Sequence, residues 1–284
     1  MREIAARCGH VVVLIVFFTP LASLAKPFEC LIEPDQVVMV SSPTDGLIDK
    51  IYVKRGDRVK AGQALVQLES NAESSAVKMA KFRSQMEGRI ASLKHKFEYT
   101  TKKAERSQEL RKQNFVSAQA RDDAESERNI AQADLQDAIE NRELAKYDYQ
   151  HSLDLLNRRT IRSPFDGVVV DRMLNPGDLA EAGTGRKPIL KIAHVDPLRV
   201  EVVLPVEAWG KLRVGMTAQV IPEVLGGRYA ATITVVDSVF DSASGTFGVR
   251  LSLPNRDKAL PAGIRCHVEL PMLKGVEPGA AKSK

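Results

Sequence analysis

The sequence contains few of the residues from which metal and catalytic sites are built. It has three cysteines and five histidines in 284 residues, and no two histidines stand four positions apart. No histidine belongs to a cysteine or carboxylate cluster with the spacing of a metal site. Ser75-x-x-Lys78 and Gly183-Thr184-Gly185 are isolated fragments of catalytic and phosphate-binding motifs without their companion residues. The sequence therefore predicts no enzyme, no metal and no cofactor.

A strong charge of one sign is also absent. The formal net charge is +5, and aromatic residues make up 5% of the chain. Lysine and arginine are dispersed and are not interleaved with aromatic side chains, as a nucleic-acid surface would require. The charge pattern therefore argues against nucleic acid as a partner.

Long hydrophobic runs are missing as well. The run Val11 to Phe18 is shorter than the roughly 20 residues that span a membrane. Arg2 and Arg7 precede it, and the small residues of Ser23-Leu24-Ala25 follow it, in the order of a secretory signal. This pattern predicts a signal peptide over residues 1–25, with an uncleaved anchor as the alternative.

Two cysteines, Cys30 and Cys266, lie beyond the predicted signal peptide. A secreted protein folds in an oxidising compartment, where two such thiols can pair. Cys30 opens the first strand-like stretch and Cys266 lies in the last one, so a disulfide between them is reasonable. The alternative is two independent buried thiols.

One short motif occurs twice in the chain. Ser42-Pro43-Thr44-Asp45-Gly46 returns 121 residues later as Ser163-Pro164-Phe165-Asp166-Gly167. The same offset carries Gly56-Asp57 onto Gly177-Asp178. These pairs are turn signals, and the apolar residues between them are typical of short strands. A repeat this short cannot bury its apolar side alone, so the two copies are predicted to form one β-module.

Proline and glycine are nearly absent between the two copies. No proline occurs between Thr44 and Ser163, and Gly88 is the only glycine from Gln63 to Asp166. A stretch of this kind, rich in Ala, Glu, Lys, Arg and Gln, predicts long helices over residues 71–160. A break near residues 114–117 would divide them into a hairpin.

Each arm of the predicted hairpin has a heptad stripe. The stripe of the first arm contains Met86, Ile90, Leu93, Phe97, Thr100, Ala104 and Ser107, and that of the second contains Ala124, Ala131, Ala138, Ala145 and Ser152. Residues 73–112 carry eleven basic and five acidic side chains, a net of +6. Residues 118–157 carry four basic and ten acidic side chains, a net of −6. Opposite charges favour antiparallel pairing of the arms within one chain.

The remaining segments are predicted to be strands. Residues 26–40 predict an N-terminal strand segment. Residues 197–271 predict five to six short strands and a short helix with Trp209, which indicates a small barrel or sandwich. Residues 272–284 are predicted to be a flexible tail. The predicted fold is thus mainly β plus an α-helical coiled-coil hairpin, which separates half-modules at residues 41–70 and 161–196.

The interrupted β-module resembles a biotinyl or lipoyl domain that is split by a long antiparallel helical hairpin. With the β-barrel that follows, residues 36–271 resemble the periplasmic adaptors, or membrane fusion proteins of the HlyD type. The resemblance rests on Ser-Pro-x-Asp-Gly in both halves and on Gly62-Gln63-Ala64-Leu65-Val66-Gln67-Leu68. A biotinyl or lipoyl carrier would need a modified lysine in a Met-Lys-Met or Asp-Lys-Ala tripeptide, which this sequence lacks.

The resemblance also implies a docking motif at the hairpin tip. Adaptors of this kind dock on a TolC-type channel through an Arg, a Leu four residues on and a Ser seven further, a pattern that Arg106, Leu110 and Ser117 fit. Leu110 would supply an apolar contact, Arg106 a charged hydrogen bond and Ser117 a hydroxyl. The alternative is that Leu110 belongs to the seam, Ser117 only caps a helix and Arg106 is only solvated.

The function that the resemblance implies is that of an adaptor subunit in the periplasm of a Gram-negative bacterium, associated with the inner membrane. It would bridge an inner-membrane transporter, with the resistance–nodulation–division (RND) type favoured, to a TolC-type outer-membrane channel. An ABC exporter of type I or a major-facilitator pump is the alternative transporter. The resemblance also implies a homo-oligomeric ring of about six copies. From other classes, a biotinyl or lipoyl carrier and a structural coiled-coil scaffold remain alternatives.

Overall fold

A computed structural model describes residues 27–257 and 259–273. The predicted signal peptide over residues 1–25 and the tail from residue 274 onward lie outside the described residues. The chain divides into two compact units, one formed by Met1–Asp35 with Val195–Lys284 and the other by Gln36–His194. Below, the first is called the barrel unit and the second the hairpin unit.

The described residues form strands and helices in the following chain order: β1 (Phe28–Val40), β2 (Gly46–Ile51), β3 (Arg58–Val59), β4 (Ala64–Leu68), α1 (Asn71–Ser84), α2 (Gly88–Lys112), α3 (Ala118–Arg158), β5 (Thr160–Arg162), β6 (Gly167–Arg172), β7 (Leu179–Ala180), β8 (Leu190–Pro205), β9 (Thr217–Pro222), β10 (Tyr229–Val236), β11 (Thr246–Leu253) and β12 (Ile264–Glu269). Single turns of 3₁₀-helix occur at Val206–Ala208 and Pro271–Leu273. The helix predicted around Trp209 is therefore only the first of these turns.

The barrel unit is built from neighbouring strands in the order β1-β12-β9-β10-β11-β8, and β1 also pairs with β8. Side chains of β8 alternate in burial, with Leu198, Val200, Val202 and Leu204 in the core. The β-rich region predicted over residues 197–271 is thus a β-barrel. The N-terminal strand segment takes part in it, because β1 pairs with β12.

The two cysteines meet on neighbouring strands of this barrel. Cys30 of β1 lies opposite Cys266 of β12 in the antiparallel register. Their Cα atoms are 4.8 Å apart and their sulfur atoms are joined in a disulfide. Both side chains are buried.

In the hairpin unit, the two copies of the repeat form one module by pairing with each other. Gly46 of the first copy pairs with Ala180 of the second, and Gly167 of the second pairs with Val59 of the first. These partners are equivalent, since the offset of 121 carries 46 onto 167 and 59 onto 180. Each copy therefore supplies the strand that the other needs.

The aspartates of the repeat bind the opposite copy. Asp45 accepts a hydrogen bond from the Ala182 N–H and Asp166 accepts one from the Ala61 N–H, each with a length of 2.6 Å. The Pro-x-Asp-Gly motif predicts both aspartates as turn formers. In the structure they also join the two copies, so neither half of the module has all its hydrogen-bond partners by itself.

Two equivalent glycines of the repeat differ in their surroundings. A Cβ atom on Gly167 would lie 2.4 Å from the carbonyl oxygen of Ala193, which is backbone. A Cβ atom on Gly46 would lie 2.6 Å from Nη1 of Arg159, the end of a flexible side chain. The Arg159 side chain can move away from the added Cβ atom. The Ala193 carbonyl can move only if its strand, β8, is displaced.

We therefore expect Gly167→Ala to lower the free energy of unfolding of the hairpin unit by about 2–3 kcal/mol, the usual cost of overpacking a close backbone contact. Gly46→Ala is the matched control and should cost about 1 kcal/mol, because Nη1 of Arg159 can move aside with the loss of its one hydrogen bond to Asp45. Chemical unfolding followed by circular dichroism at 222 nm would measure both, since the long helices belong to this unit. Equal losses for the two variants would contradict the prediction.

The insert is a helical hairpin with three helices. The heptad alanines Ala124, Ala131 and Ala138 of α3 are buried, which lets the backbones of the two arms approach closely. The first arm was expected to be continuous, but it is interrupted between α1 and α2 at residues 85–87. Met86, assigned to the seam from the sequence, is exposed at this break. The glycine that follows, Gly88, disfavours an unbroken helix.

Ion pairs and hydrogen bonds join the arms and the base of the hairpin. Lys96 pairs with Asp134 at 2.8 Å, and Lys103 pairs with Glu127 at 2.7 Å, as the opposite charges of the arms predict. Exposed pairs of this kind contribute little stability and act mainly on register.

At the base of the hairpin, Arg159 contacts both the first helix and the module. Its Nε donates to the Glu73 carboxylate at 2.9 Å and its Nη1 donates to the carbonyl of Asp45 at 2.7 Å. The pKa of Glu73 lies below its ordinary value, first because a backbone N–H donates to the carboxylate and then because of Arg159. Arg159 thus anchors the hairpin to the β-module.

Within the described residues, no helix combines the length and the apolar character that crossing a bilayer requires.

Candidate functional site

The candidate site is the tip of the hairpin, where the chain reverses between α2 and α3. The N–H of Phe115 donates to the carbonyl of Leu110 and the N–H of Asn114 donates to that of Arg111, each at 2.9 Å. Asn114 has a φ of 61°, in the left-handed region. These features form a Schellman motif, with asparagine in the place that glycine usually takes. The tip therefore has a defined backbone conformation.

Ser117 caps the second arm. Its Oγ accepts a hydrogen bond of 3.1 Å from the N–H of Ala120, in the first turn of α3. The predicted capping role of Ser117 is thus present in the structure. The hydroxyl proton takes no part in this bond, so the exposed Ser117 can still donate to a partner.

Arg106 and Leu110 lie one turn apart in the last part of α2. Leu110 is half-buried and continues the seam that runs through Ala104 and Ser107. Arg106 is exposed, and within the described part of the chain its guanidinium has no hydrogen bond or ion pair. The hairpin therefore brings Arg106, Leu110 and Ser117 to one end, with Leu110 partly in the seam and Arg106 fully available to solvent.

Phe115 is an exposed apolar side chain of the tip that the predicted docking motif does not include. Its side chain is 74% exposed in the turn between the arms. The sequence position of Phe115 indicates its exposure. An aromatic residue inside a helix break and outside both heptad stripes cannot be buried by the hairpin itself. An exposed aromatic side chain with a defined backbone is a common feature of binding surfaces.

The acidic side chain beside the tip is Glu109, which pairs with Lys112 at 3.4 Å. Across residues 27–257 and 259–273, no three His, Cys, Asp or Glu side chains come together as a metal site would require. The tip offers the cations Arg106, Arg111 and Lys112, the apolar side chains of Leu110 and Phe115 and the hydroxyl of Ser117. Such a set is suited to binding a protein surface.

Residues 36–193 match the family described as CzcB-like, barrel-sandwich hybrid domain. The chain belongs to this family. The matched residues hold both copies of the repeat and the whole hairpin. The predicted relation to membrane fusion proteins is thereby confirmed.

Curated relatives match over most of this chain. A cobalt-zinc-cadmium resistance protein, CzcB of Cupriavidus metallidurans, is 21% identical over 249 residues, which are 88% of this chain and 45% of the relative. The macrolide export protein MacA of Yersinia pestis is 25% identical over 245 residues, 82% of this chain and 64% of the relative. The chain thus spans about half the length of the curated relatives it matches.

Solved structures share the fold. The crystal structure of MacA from Actinobacillus actinomycetemcomitans superposes with a TM-score of 0.71 at 20% identity, covering 86% of this chain and 76% of that one. The membrane fusion protein Spr0693 of Streptococcus pneumoniae superposes with a TM-score of 0.58 at 16% identity, covering 89% of this chain and 99% of that one. A mainly β fold with a helical hairpin and a β-barrel is therefore common to this chain and to membrane fusion proteins.

Proposed function

We propose that the protein is the periplasmic adaptor of an efflux system and that its hairpin tip docks on a TolC-type outer-membrane channel. The observation that carries the proposal is the exposed tip, with Arg106, Leu110, Phe115 and Ser117, at the end of a long stiff hairpin. Because α3 has 41 residues, it reaches about 60 Å at ~1.5 Å per residue. A support of this length suits a protein that binds a partner at a distance from its own body.

The adaptor acts by binding and not by chemistry. The two-copy module is a lipoyl-like module split by the hairpin, which replaces the turn between β4 and β5. Six copies or so assemble into a ring in the periplasm, next to the inner membrane. The inner-membrane partner is a transporter, and the resistance–nodulation–division type is favoured, as the resemblance to periplasmic adaptors implies.

The relatives also bear on what such a system exports. One relative is named for cobalt, zinc and cadmium resistance and another for macrolide export, so the substrate could be a metal ion or an organic molecule. An ABC exporter of type I and a major-facilitator pump are the alternative transporters. The adaptor role is the same in each case.

In-cell photo-crosslinking from the tip tests the proposal. A photoreactive phenylalanine would replace Leu110 in one variant and Phe115 in a second, and the captured proteins would be identified by mass spectrometry. We expect an outer-membrane channel from both positions. A photoreactive residue at Tyr147, far from the tip, is the control and should not capture the channel. Capture of only another copy of this chain, or of nothing, from both tip positions would overturn the channel-docking role.

A further inference from the structure

Two loops at one end of the barrel carry exposed apolar side chains. The loop after β8 contains Val206 and Trp209, and the loop after β10 contains Val239 and Phe240. The rings of Trp209 and Phe240 meet edge to face with their centroids 5.6 Å apart, so the two loops form one surface. The Val206 N–H also donates to the carbonyl of Gly245 at 3.0 Å and joins the loops a second time. Below, Val206, Trp209, Val239 and Phe240 are called the apolar end patch.

The backbone beside this patch has a defined conformation. The Gly245 N–H donates to the Asp241 carbonyl at 2.8 Å, and the Asp241 carboxylate accepts from the Ala243 N–H at 2.9 Å. Phe240 packs edge to face on the buried Phe247, with centroids 5.9 Å apart, so the core behind the patch is already filled. Apolar side chains that an ordered loop keeps in solvent indicate a binding surface.

The strand directions place the patch at the end of the barrel where the described chain enters and leaves it. Because neighbouring strands are antiparallel, the starts of β1, β9 and β11 lie at the same end as the ends of β8, β10 and β12. The apolar run Val11 to Phe18 precedes Phe28 by ten residues, which span at most about 35 Å. An uncleaved run would hold this end within that distance of the bilayer, and a cleaved one would leave the patch to supply the contact.

Cations flank the tryptophan of the patch. Lys211 and Arg213 follow Trp209 in the same loop, are exposed, and form no ion pair within the described part of the chain. The acidic side chains of the two loops are less available, because Asp237 is half-buried and Asp241 accepts hydrogen bonds from its own loop. Glu207 is the remaining one.

The segment that follows the barrel at this end adds to the positive charge. Residues 274–284 contain three lysines and one glutamate. Exposed apolar residues beside unpaired cations match the surface of a bilayer that contains anionic phospholipids.

Trp209 itself is suited to the boundary between lipid and water. Its side chain is 52% exposed, and among the residues that the structure describes, its indole N–H has no hydrogen-bond acceptor. Tryptophan is enriched at membrane surfaces because its ring is apolar while its N–H can donate to a headgroup.

From these observations we infer that the apolar end patch binds the surface of the inner membrane. Trp209, Val239 and Phe240 insert among the phospholipids, and Lys211 and Arg213 contact the anionic headgroups. The contact attaches the barrel unit to the bilayer without a transporter. The inference deepens the proposed function and rests on it only for which membrane is bound.

Binding of the protein beginning at residue 26 to lipid vesicles tests this contact. Vesicles of phosphatidylethanolamine and phosphatidylglycerol would be compared with vesicles of phosphatidylcholine, and bound protein would be measured by flotation. We expect stronger binding to the anionic vesicles, which high salt weakens. Brominated acyl chains should quench the fluorescence of Trp209, the one tryptophan of the chain, because its ring would lie against them. Absence of flotation, or of quenching, would overturn the inference.

Val239→Glu and Val224→Glu are a matched pair of variants. Val239 is 82% exposed in the patch, and Val224 is 78% exposed in the turn between β9 and β10, at the other end of the barrel. We expect Val239→Glu to lower the binding constant for anionic vesicles about tenfold or more, because a carboxylate would have to enter the apolar layer. Val224→Glu should leave binding unchanged. Equal losses in the two variants would overturn the inference.

A protein partner at the same patch would give a different result. Capture of a membrane protein by a photoreactive residue in place of Val239, together with vesicle binding that Val239→Glu does not weaken, would assign the patch to that protein and overturn the lipid contact. None of these experiments involves the outer-membrane channel, so their failure is distinguishable from a failure of channel capture at the tip.

Discussion

Replacing Leu110 with aspartate is expected to abolish capture of the outer-membrane channel while leaving the helical content of the protein unchanged. Leu110 is half-buried near the end of α2, and its exposed part is the apolar contact proposed for the channel. An aspartate would have to bring an unpaired carboxylate into an apolar groove, which costs several kcal/mol unless the charge is neutralised. The backbone would tolerate the change, because the bond between Leu110 and Phe115 uses only main-chain atoms.

The matched control for this variant is Gln108→Asp. Gln108 lies two positions away on an exposed face of the same turn, so the variant adds the same charge at nearly the same height. Both variants would carry a photoreactive residue in place of Phe115, and the yield of channel adduct would be compared with that of the parent. Circular dichroism at 222 nm would check the helices. Full capture by Leu110→Asp, or equal loss in both variants, would contradict a specific role for Leu110.

The module and the arms could be predicted from the sequence because their signals are local or repeated. The repeat predicts one module, since each copy alone is too short to bury its apolar side. The alanine heptad predicts the seam, and the structure buries Ala124, Ala131 and Ala138. The hydrogen bonds between copies could not be predicted in the same way. The pairing of Asp45 with Ala182 depends on a register across 137 residues, which tertiary packing decides.

The break in the first arm could not be predicted from the sequence for a different reason. Residues 85–87 have no proline, and their heptad pattern is compatible with a continuous helix. Only Gly88 indicated a weak point, and one glycine costs a helix about 1 kcal/mol, too little to decide its end alone. The exposed Met86 follows from this break. At the tip, in contrast, Ser117 had a strong capping signal, and the start of α3 was predicted from it.

Reduction of the bond between Cys30 and Cys266 is expected to lower the free energy of unfolding of the barrel unit by about 2–5 kcal/mol. The two residues are separated by 236 positions, so their bond closes a very long loop in the unfolded chain. In the chain-entropy account, a loop of this length places the effect toward the upper end of that range. The effect should be confined to the barrel unit, because the bond joins β1 to β12.

Urea unfolding followed by tryptophan fluorescence would measure this loss, because the chain has one tryptophan, Trp209, and it belongs to the barrel unit. The oxidised and reduced forms of the protein beginning at residue 26 differ only in the bond, so their difference isolates its contribution. The double variant Cys30→Ala with Cys266→Ala should resemble the reduced form, apart from the small cavities that the missing sulfur atoms leave. Thiol labelling of the denatured, unreduced protein should find no free cysteine. Two labelled thiols, or identical unfolding curves before and after reduction, would show that the barrel holds together without the bond.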